Sequence, residues 1–575
     1  MAKYTEKGTD YSHSVEYAFD SKNNLSTLKE IINGITRETG YTYDADNRLQ
    51  TVTGNGQTIE YTYDALGRLE KQEVKNGTEV VLTTTYTYYD PTSTTTSTQV
   101  ESIQQTADNY SITYTYTYDG NGNILTISDG VNTYRYAYDE LNQLTREDDP
   151  IAGISRVYGY RPGGALGLEF ECPYTDGEVP MDQAKAFYSR DESWGDLFIG
   201  VNGMSASYDS IGNMLSFGEY LYHWEHGREL SAITDRDTMW AFTYDANGMR
   251  LRQWNIQGND YYYVYNGSQL SQMTKNGQVL NFFYDGEGTP AYFTYGSATY
   301  YYVTNLQGDV IAILDSTGAV VVNYHYDAYG VLLQTGGTMA ATLGALNPLT
   351  YRGYVYDHET GLYYLQSRYY NPAIRQFISP DAFVSTGQGY MGYNMFAYCG
   401  NNPVNRADPN GEGWITALII VAVVVVSCAI VKGEIDEKID NSGANDAEKA
   451  LAKRDYIAAY HVNKAKTITE GYIEREYGRE NDRDGTQVNA YRHAMWNAIM
   501  TDRIGAKKAK EFADAHEEFP GNPVEHMEMD LHNNELGRRI AIEYAGQGYD
   551  MFSQKIQEAI KNGEAKVIRW DPNVK

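Results

Sequence analysis

Residues 61–70 read YTYDALGRLE and residues 41–50 read YTYDADNRLQ, and the reading of this decamer decides the fold. Tyrosine alternates with threonine, so every second tyrosine falls on one face of an extended strand. The Asp side chain and the Gly or Asn three residues later satisfy a tight turn, after which a short strand opens on Arg-Leu or Ile-Leu. The unit recurs at 116–125 (YTYDGNGNIL) and 136–145 (YAYDELNQLT), and more loosely at Tyr208-Asp209, Tyr244-Asp245, Tyr284-Asp285 and Tyr326-Asp327. Asp44 and Asp64, like Asp119 and Asp139, stand 20 residues apart. Hairpins of this kind, laid side by side, predict one long antiparallel sheet whose tyrosine ladders pack across strands.

The composition fits that reading. In 575 residues, 55 Tyr outnumber 15 Phe and 7 Trp, too much aromatic surface for a disordered chain. Cys172, Cys399 and Cys428 are far apart and form neither a disulfide framework nor a zinc site. The net charge of −30 argues against an electrostatic grip on nucleic acid by the whole molecule. The opening residues MAKYTE lack an apolar segment, so the expectation is no signal peptide here, with export through a longer parent or a dedicated route.

The repeats resemble the YD repeats of RHS proteins, wall-associated repeat proteins and the C components of Tc toxins, over most of the first 410 residues. The resemblance implies spiralling strands that form a hollow shell around a C-terminal toxic polypeptide, repeats over 1–350 and a plug over 351–412. The plug carries Glu359-Thr360-Gly361-Leu362, Arg368-Tyr369-Tyr370-Asn371-Pro372, Phe377-Ile378-Ser379-Pro380-Asp381, Asn401-Asn402-Pro403 and Asp408-Pro409-Asn410-Gly411, similar to the RHS-associated core. That resemblance implies self-cleavage just after an Asp-Pro-x-Gly-Leu motif by two carboxylates sharing a proton. By position Asp381 is one acid and Asp408 the nearest candidate for the other, with Arg368 or Arg375 tuning either. Two departures stand out: Glu412 replaces the motif's Leu, and Arg375-Gln376-Phe377 replaces Gly-Arg-Phe. The alternative is that Asp381 and Asp408 merely close turns.

Directly after the core, WITALIIVAVVVVSCAIV (414–431) runs for eighteen uncharged residues, the short end of what spans a bilayer. Trp414 and Lys432 flank it as interfacial anchors would. A hydrophobic transmembrane or translocation helix is the direct expectation, and a buried strand its alternative.

Beyond residue 431 the chemistry changes. Residues 432–575 hold 22 Lys plus Arg against 27 Asp plus Glu, only 7 of the 55 tyrosines and five of the ten histidines. The fold class expected is therefore a β-rich shell of antiparallel hairpins, a hydrophobic helix and a mainly α C-terminal domain. Helices are predicted over about 487–503, 506–518, 524–544 and 549–562, followed by a strand-like KVIRW end. Ala509, Phe512, Ala513 and His516 share one helical stripe, so His516 is expected to point inward. Met527, Asp530, Leu531, Asn534, Arg538 and Ala541 share another, burying Asp530 and Asn534. Asn489, His493 and Asn497 follow at four-residue spacing beside Trp496.

Buried polar groups are costly unless satisfied, so His493, His516, Glu517, Asp530, Asn534 and Arg538 read as a hydrogen-bonded core network or an active site. The tail has no His-Glu-x-x-His, no Cys pair, no phosphate loop and no nucleophile elbow. The runs RHAMWNAIM, DAHE and MDLHNNELGRR resemble a helical domain of unknown function at the C-termini of bacterial secreted and toxin proteins. Arg492-His493 is also similar to the Arg-His-Asp of bacterial phospholipase A2, with Ala494 in place of the Asp.

In the active-site reading His493 or His516 is a general base, Asp530 or Glu517 orients it or holds a divalent metal ion, and Arg538 stabilises a phosphate or oxyanion. Phosphodiester substrates, in nucleic acid or phospholipid, suit that set. The resemblance to RHS toxins implies a secreted or cell-surface, membrane-associated protein, a target-cell membrane to cross and a cognate immunity protein as partner. Two other classes stay open: a cell-surface repeat protein with a structural or adhesive tail, and a pore former acting through 414–431.

Overall fold

The computed structural model describes residues 2–7, 12–89, 98–180, 184–245, 248–381, 393–413, 415–416, 445–454, 456–478, 483, 485–517, 523–544 and 547–569. The chain divides into two compact units, Met1–Val426 and Ser427–Lys575.

In the first unit the described residues up to Gly336 form a 31-stranded sheet in which each strand pairs antiparallel with its neighbour in sequence. The turn chemistry explains why. The Asp64 N–H donates to the Arg68 carbonyl at 2.9 Å, and Asp64 Oδ1 accepts the N–H groups of Leu66 and Arg68, both at 2.9 Å. The closed turn places its fourth residue at positive φ, +81° for Gly67 and +67° for Asn47, which is why the repeat carries Gly or Asn there. The register slips by one residue between Thr62 and Tyr63, a bulge that the other copies share.

The tyrosine opposite the bulge then reaches back. Tyr63, Tyr138, Tyr244 and Tyr284 each donate their hydroxyl to the carbonyl 14 residues upstream, at Leu49, Ile124, Leu230 and Leu270, over 2.7–2.9 Å. The repeat arginines lie over the next tyrosine ring, Arg48 over Tyr63 at 4.7 Å and Arg68 over Tyr88 at 4.3 Å. The tyrosine ladder is thus packing and hydrogen bonding together.

The sheet also coils onto itself. Tyr17 donates to Asn266 at 2.8 Å, Tyr292 to the Gly54 carbonyl at 2.7 Å, Tyr301 to Gln57 at 2.7 Å, and His325 meets Asp149 at 2.7 Å. Strands far apart in sequence are therefore stacked, as the spiral reading expects.

The core segment docks on the turns. Asn401 donates to Gln143 at 2.9 Å, Asn402 to Asn123 at 2.9 Å and Asn405 to the Tyr138 hydroxyl at 2.9 Å. The Asn-Asn-Pro signature thereby reads repeat residues directly. Four short strands, Val355–Asp357, Leu362–Tyr364, Tyr369–Asn371 and Gln376–Phe377, form a small antiparallel sheet. It is locked to the long sheet by fully buried Arg250, bidentate to Asp357 at 2.5 and 2.8 Å and 4.5 Å from the Tyr263 and Tyr364 ring centroids.

The apolar run begins differently from expectation. Ile415–Thr416 pair as a strand with Arg406–Ala407, so these two residues of the run are extended rather than helical. Trp414 and residues 417–431 lie outside the described residues, and among those described no helix is long and apolar enough to cross a membrane.

The second unit contains α1 (Asp446–Arg454), α2 (Tyr456–Glu476), α3 (Gln487–Glu517), α4 (Val524–Glu543) and α5 (Tyr549–Lys561). Helix α3 joins the two predicted helices across a break at Gly505, whose φ and ψ of 79° and 152° are not helical. Helices α1 and α2 were not anticipated. The KVIRW end is no strand over its described residues. Lys566 is held to Asn533 in both directions, and the Ile568 and Arg569 N–H groups share the Gly485 carbonyl.

Replacing Arg250 with Met removes the guanidinium from buried Asp357 and is expected to lower stability by about 3–5 kcal/mol. Tyr63→Phe, which deletes one hydroxyl-to-carbonyl bond, is expected to lower it by about 1 kcal/mol. Denaturant midpoints followed by intrinsic fluorescence test that order.

Candidate functional site

Most of the predicted site residues fall in two buried polar clusters, one in each unit. In the first, Arg368 gathers the two predicted acids. Its Nη2 lies 3.0 Å from Asp381 Oδ2 and 3.3 Å from Asp408 Oδ2, while its Nε donates to the Gly411 carbonyl and its Nη1 to Met395 O at 3.1 Å. The guanidinium sits 3.6 Å from the Phe377 ring centroid, which shields it from water. Asp408 Oδ1 accepts the N–H of Gly413 at 3.1 Å, and its own N–H donates to the Tyr354 hydroxyl at 2.9 Å. Burial pushes the Asp408 carboxyl above its ordinary range, against the pull of Arg368. Gly411 has φ of +74°, and a Cβ there would meet Ser367 Oγ at 2.7 Å and the Leu365 carbonyl at 2.9 Å. The backbone just before the motif's end is pressed against the arginine loop.

The two departures from the family pattern prove local. Glu412 is exposed and exchanges hydrogen bonds only with Asn410 among the bonds seen, so it adds no charge to the cluster. Arg375 does not tune the acids. It pairs with Glu169 at 2.8 Å and Asp327 at 3.0 Å, in a separate buried network.

In the second unit α3 and α4 cross closely enough for side chains from three turns to converge. A Cβ on Gly537 would meet the Ala494 carbonyl at 2.0 Å, so only glycine permits this approach. From Arg538 inward the bonds run in one direction. Arg538 Nη1 donates to Asn497 Oδ1 at 2.7 Å, Asn497 Nδ2 to Asn534 Oδ1 at 2.6 Å, and Asn534 Nδ2 to Glu517 Oε1 at 3.2 Å. His493 Nδ1 lies 3.3 Å from Asn534 Oδ1 and 3.5 Å from Glu517 Oε1, and its Nε2 lies 3.4 Å from Asp530 Oδ1. Ligand atoms of His493, Glu517 and Asp530 fall within 4.8 Å of one another.

Burial drives the His493 imidazole down to about 3, helped by the charges of Arg492 and His516, so the ring is neutral at physiological pH. Burial raises the Glu517 carboxyl above its ordinary value. Arg538 also holds Glu535 at 2.7 Å, which makes it an anchor of the network rather than an open anion clamp.

His516 departs from expectation. It is exposed, stacks edge-on against Trp496 with centroids 5.1 Å apart, and bonds Glu448 of α1 at 2.7 Å. At the last turn of α3 burial passes instead to Ala515 and Glu517. Glu448 was missed, though its signal is in the sequence: Asn445 and Glu448 exchange reciprocal bonds of 2.9 Å, a capping box that starts α1.

A family model described as Teneurin YD-shell matches residues 193–404, and one described as RHS Repeat matches 43–79. Over these residues the first unit is of the RHS/YD-repeat type. The helical unit matches, over 449–564, a family described as Domain of unknown function (DUF6973). Among relatives of this RHS/YD-repeat chain are the tRNA3(Ser)-specific nuclease WapA of Bacillus spizizenii, 36% identical over 226 residues, and the tRNA nuclease WapA of Bacillus subtilis, 35% identical over the same length. Each alignment takes in 38% of this chain, which spans 10% of the relative's length. The TcdB2-TccC3-Cdc42 crystal structure shares the fold at a TM-score of 0.51 and 17% identity, over 72% of this chain and 24% of that one.

The close crossing is testable. Gly537→Ala is expected to strip amide-exchange protection from 489–497 and 530–538. Gly471→Ala on α2, where a Cβ meets nothing within 4 Å, is expected to raise helical stability by about 0.5–1 kcal/mol.

Proposed function

We propose that the chain is the C-terminal part of a secreted RHS-type toxin used in competition between bacteria. The repeat shell carries residues 432–575 as cargo, and the cargo hydrolyses phosphodiester bonds in the target cell, where a cognate immunity protein would protect the producer. The observation that carries the enzymatic reading is the neutral, buried His493 between Glu517 and Asp530, at the end of a directed chain of amides from Arg538. A structural core has no need to set a basic nitrogen against two carboxylates. His493 serves as general base, oriented by Asn534, and the carboxylates balance the positive charge that develops on it. The relatives named as tRNA nucleases favour nucleic acid over phospholipid as the substrate.

A second step is proposed in the core, on the observation that Asp408 faces the Gly413 nitrogen. Water adds to the Glu412 carbonyl carbon and passes its proton to Asp381, the Glu412–Gly413 bond breaks, and Asp408 protonates the departing Gly413 amine. Arg368 holds both acids and clamps Gly411.

Expression of residues 427–575 in the bacterial cytosol is expected to arrest growth with breakdown of RNA, and His493→Ala to lower the hydrolytic rate about 10²–10⁴-fold. Harmless expression of the folded unit rejects the hydrolase; toxicity that survives deletion of everything after residue 432 assigns it to the apolar run. For the core, mass spectrometry of the purified full chain is expected to find a fragment beginning at Gly413, lost in Asp381→Asn and Asp408→Asn. An intact, folded chain rejects the cut.

A further inference from the structure

The polarity of the buried amide chain determines which nitrogen of His493 carries its proton. Arg538 can only donate, so Asn497 must turn its oxygen toward Nη1 at 2.7 Å and its nitrogen toward Asn534. Asn534 then presents Oδ1 to Asn497 Nδ2 at 2.6 Å, and the same oxygen lies 3.3 Å from His493 Nδ1. An oxygen that accepts there requires an N–H on Nδ1. That leaves Nε2 as the nitrogen that faces a carboxylate oxygen of Asp530, at 3.4 Å. An imidazole nitrogen and a carboxylate oxygen thus converge in a buried site, with Glu517 beside them.

We infer that His493, Asp530 and Glu517 bind a single divalent transition-metal ion. Three features fit. The ligand atoms lie within 4.8 Å of one another. Ligands about 2.1 Å from a common ion in a tetrahedral site stand about 3.4 Å apart, so small side-chain rotations close the set. The donors are one imidazole and two carboxylates, a mixture that suits zinc or manganese better than calcium or magnesium, which favour all-oxygen sites. The Nδ1–H bond to Asn534 is the outer contact that a metal-bound histidine uses to fix its tautomer and raise its basicity. Arg538 and Asn497 are positioning residues in this arrangement.

The inference rests on the hydrolase reading for the ion's use and changes one role within it: with the ion bound, His493 is a ligand rather than the base, and the ion would polarise a phosphodiester or a bound water. Binding and hydrolysis can therefore fail separately.

The test uses the full chain, stripped with chelator and titrated with Zn²⁺, Mn²⁺ and Mg²⁺ by calorimetry, with metal content measured after dialysis. The expected result is one equivalent of Zn²⁺ or Mn²⁺, bound at least 10-fold tighter than Mg²⁺, with a raised unfolding midpoint for the helical unit. Asp530→Asn and His493→Ala are each expected to weaken binding at least 10-fold. Amide exchange across 487–543 checks that these variants fold. His532→Gln, which alters an exposed histidine bonded to the Glu564 carbonyl, is expected to leave the affinity unchanged. Absence of binding to the wild-type chain, or equal affinity in folded Asp530→Asn and His493→Ala, overturns the site. Hydrolysis that persists in the stripped protein also overturns a metal role while leaving the hydrolase reading intact. Stoichiometric binding without hydrolysis keeps the site and rejects that reading.

Discussion

The first unit depends on one hydrogen bond repeated along the chain, from a tyrosine hydroxyl to the carbonyl 14 residues upstream. A two-stranded hairpin is marginal in water by itself. The bulge at each Thr-Tyr step would weaken it further, because it leaves ladder groups without their regular partners. The hydroxyl binds the carbonyl of the residue paired at the preceding bulge and fastens each hairpin to the one before it. The Asp turn, the positive-φ residue and the arginine over the next ring all serve to place that hydroxyl. Phenylalanine could pack in the same position but could not make the bond, which gives tyrosine its dominance in the composition.

This explains what was legible in the sequence. The repeat's signals are local, an alternation and a turn within ten residues, and local signals survive into the fold unchanged. In the helical unit the stripes through His493, Asp530 and Asn534 were legible for the same reason. His516 was not, because its environment is set by α1, a helix distant in sequence whose start is marked by a capping box and not by a strong apolar stripe. Glu448 was missed with it. The strand-like reading of KVIRW failed because its β-branched character was outweighed by tertiary bonds to Asn533 and Gly485. Arg375 and Arg368 look alike in the sequence, and only the long-range approach of Glu169 and Asp327 separates their roles.

The two buried clusters share a construction. Each begins at a guanidinium, which has no acceptor, so each next hydrogen bond has a fixed direction. In the core, Arg368 brings Asp381 and Asp408 together on one nitrogen. In the helical unit, Arg538 acts through two asparagines to decide a histidine tautomer. A lysine could supply the charge in either place but not the planar fork whose separate nitrogens reach partners in different directions. Such clusters rigidify their surroundings when fully satisfied, and they are costly when one member is lost.

The coil contacts carry a consequence for how such a chain can change over generations. Tyr17 meets Asn266, Tyr292 meets Gly54, and His325 meets Asp149, so residues 249, 238 and 176 positions apart are matched in pairs. A hairpin gained or lost between two matched residues would offset every pairing beyond it, as a dropped stitch shifts the rows of a knitted tube. Repeat number is therefore constrained to change in lengths that restore the match around the coil. Recombination that leaves the repeats whole leaves these pairings as they are.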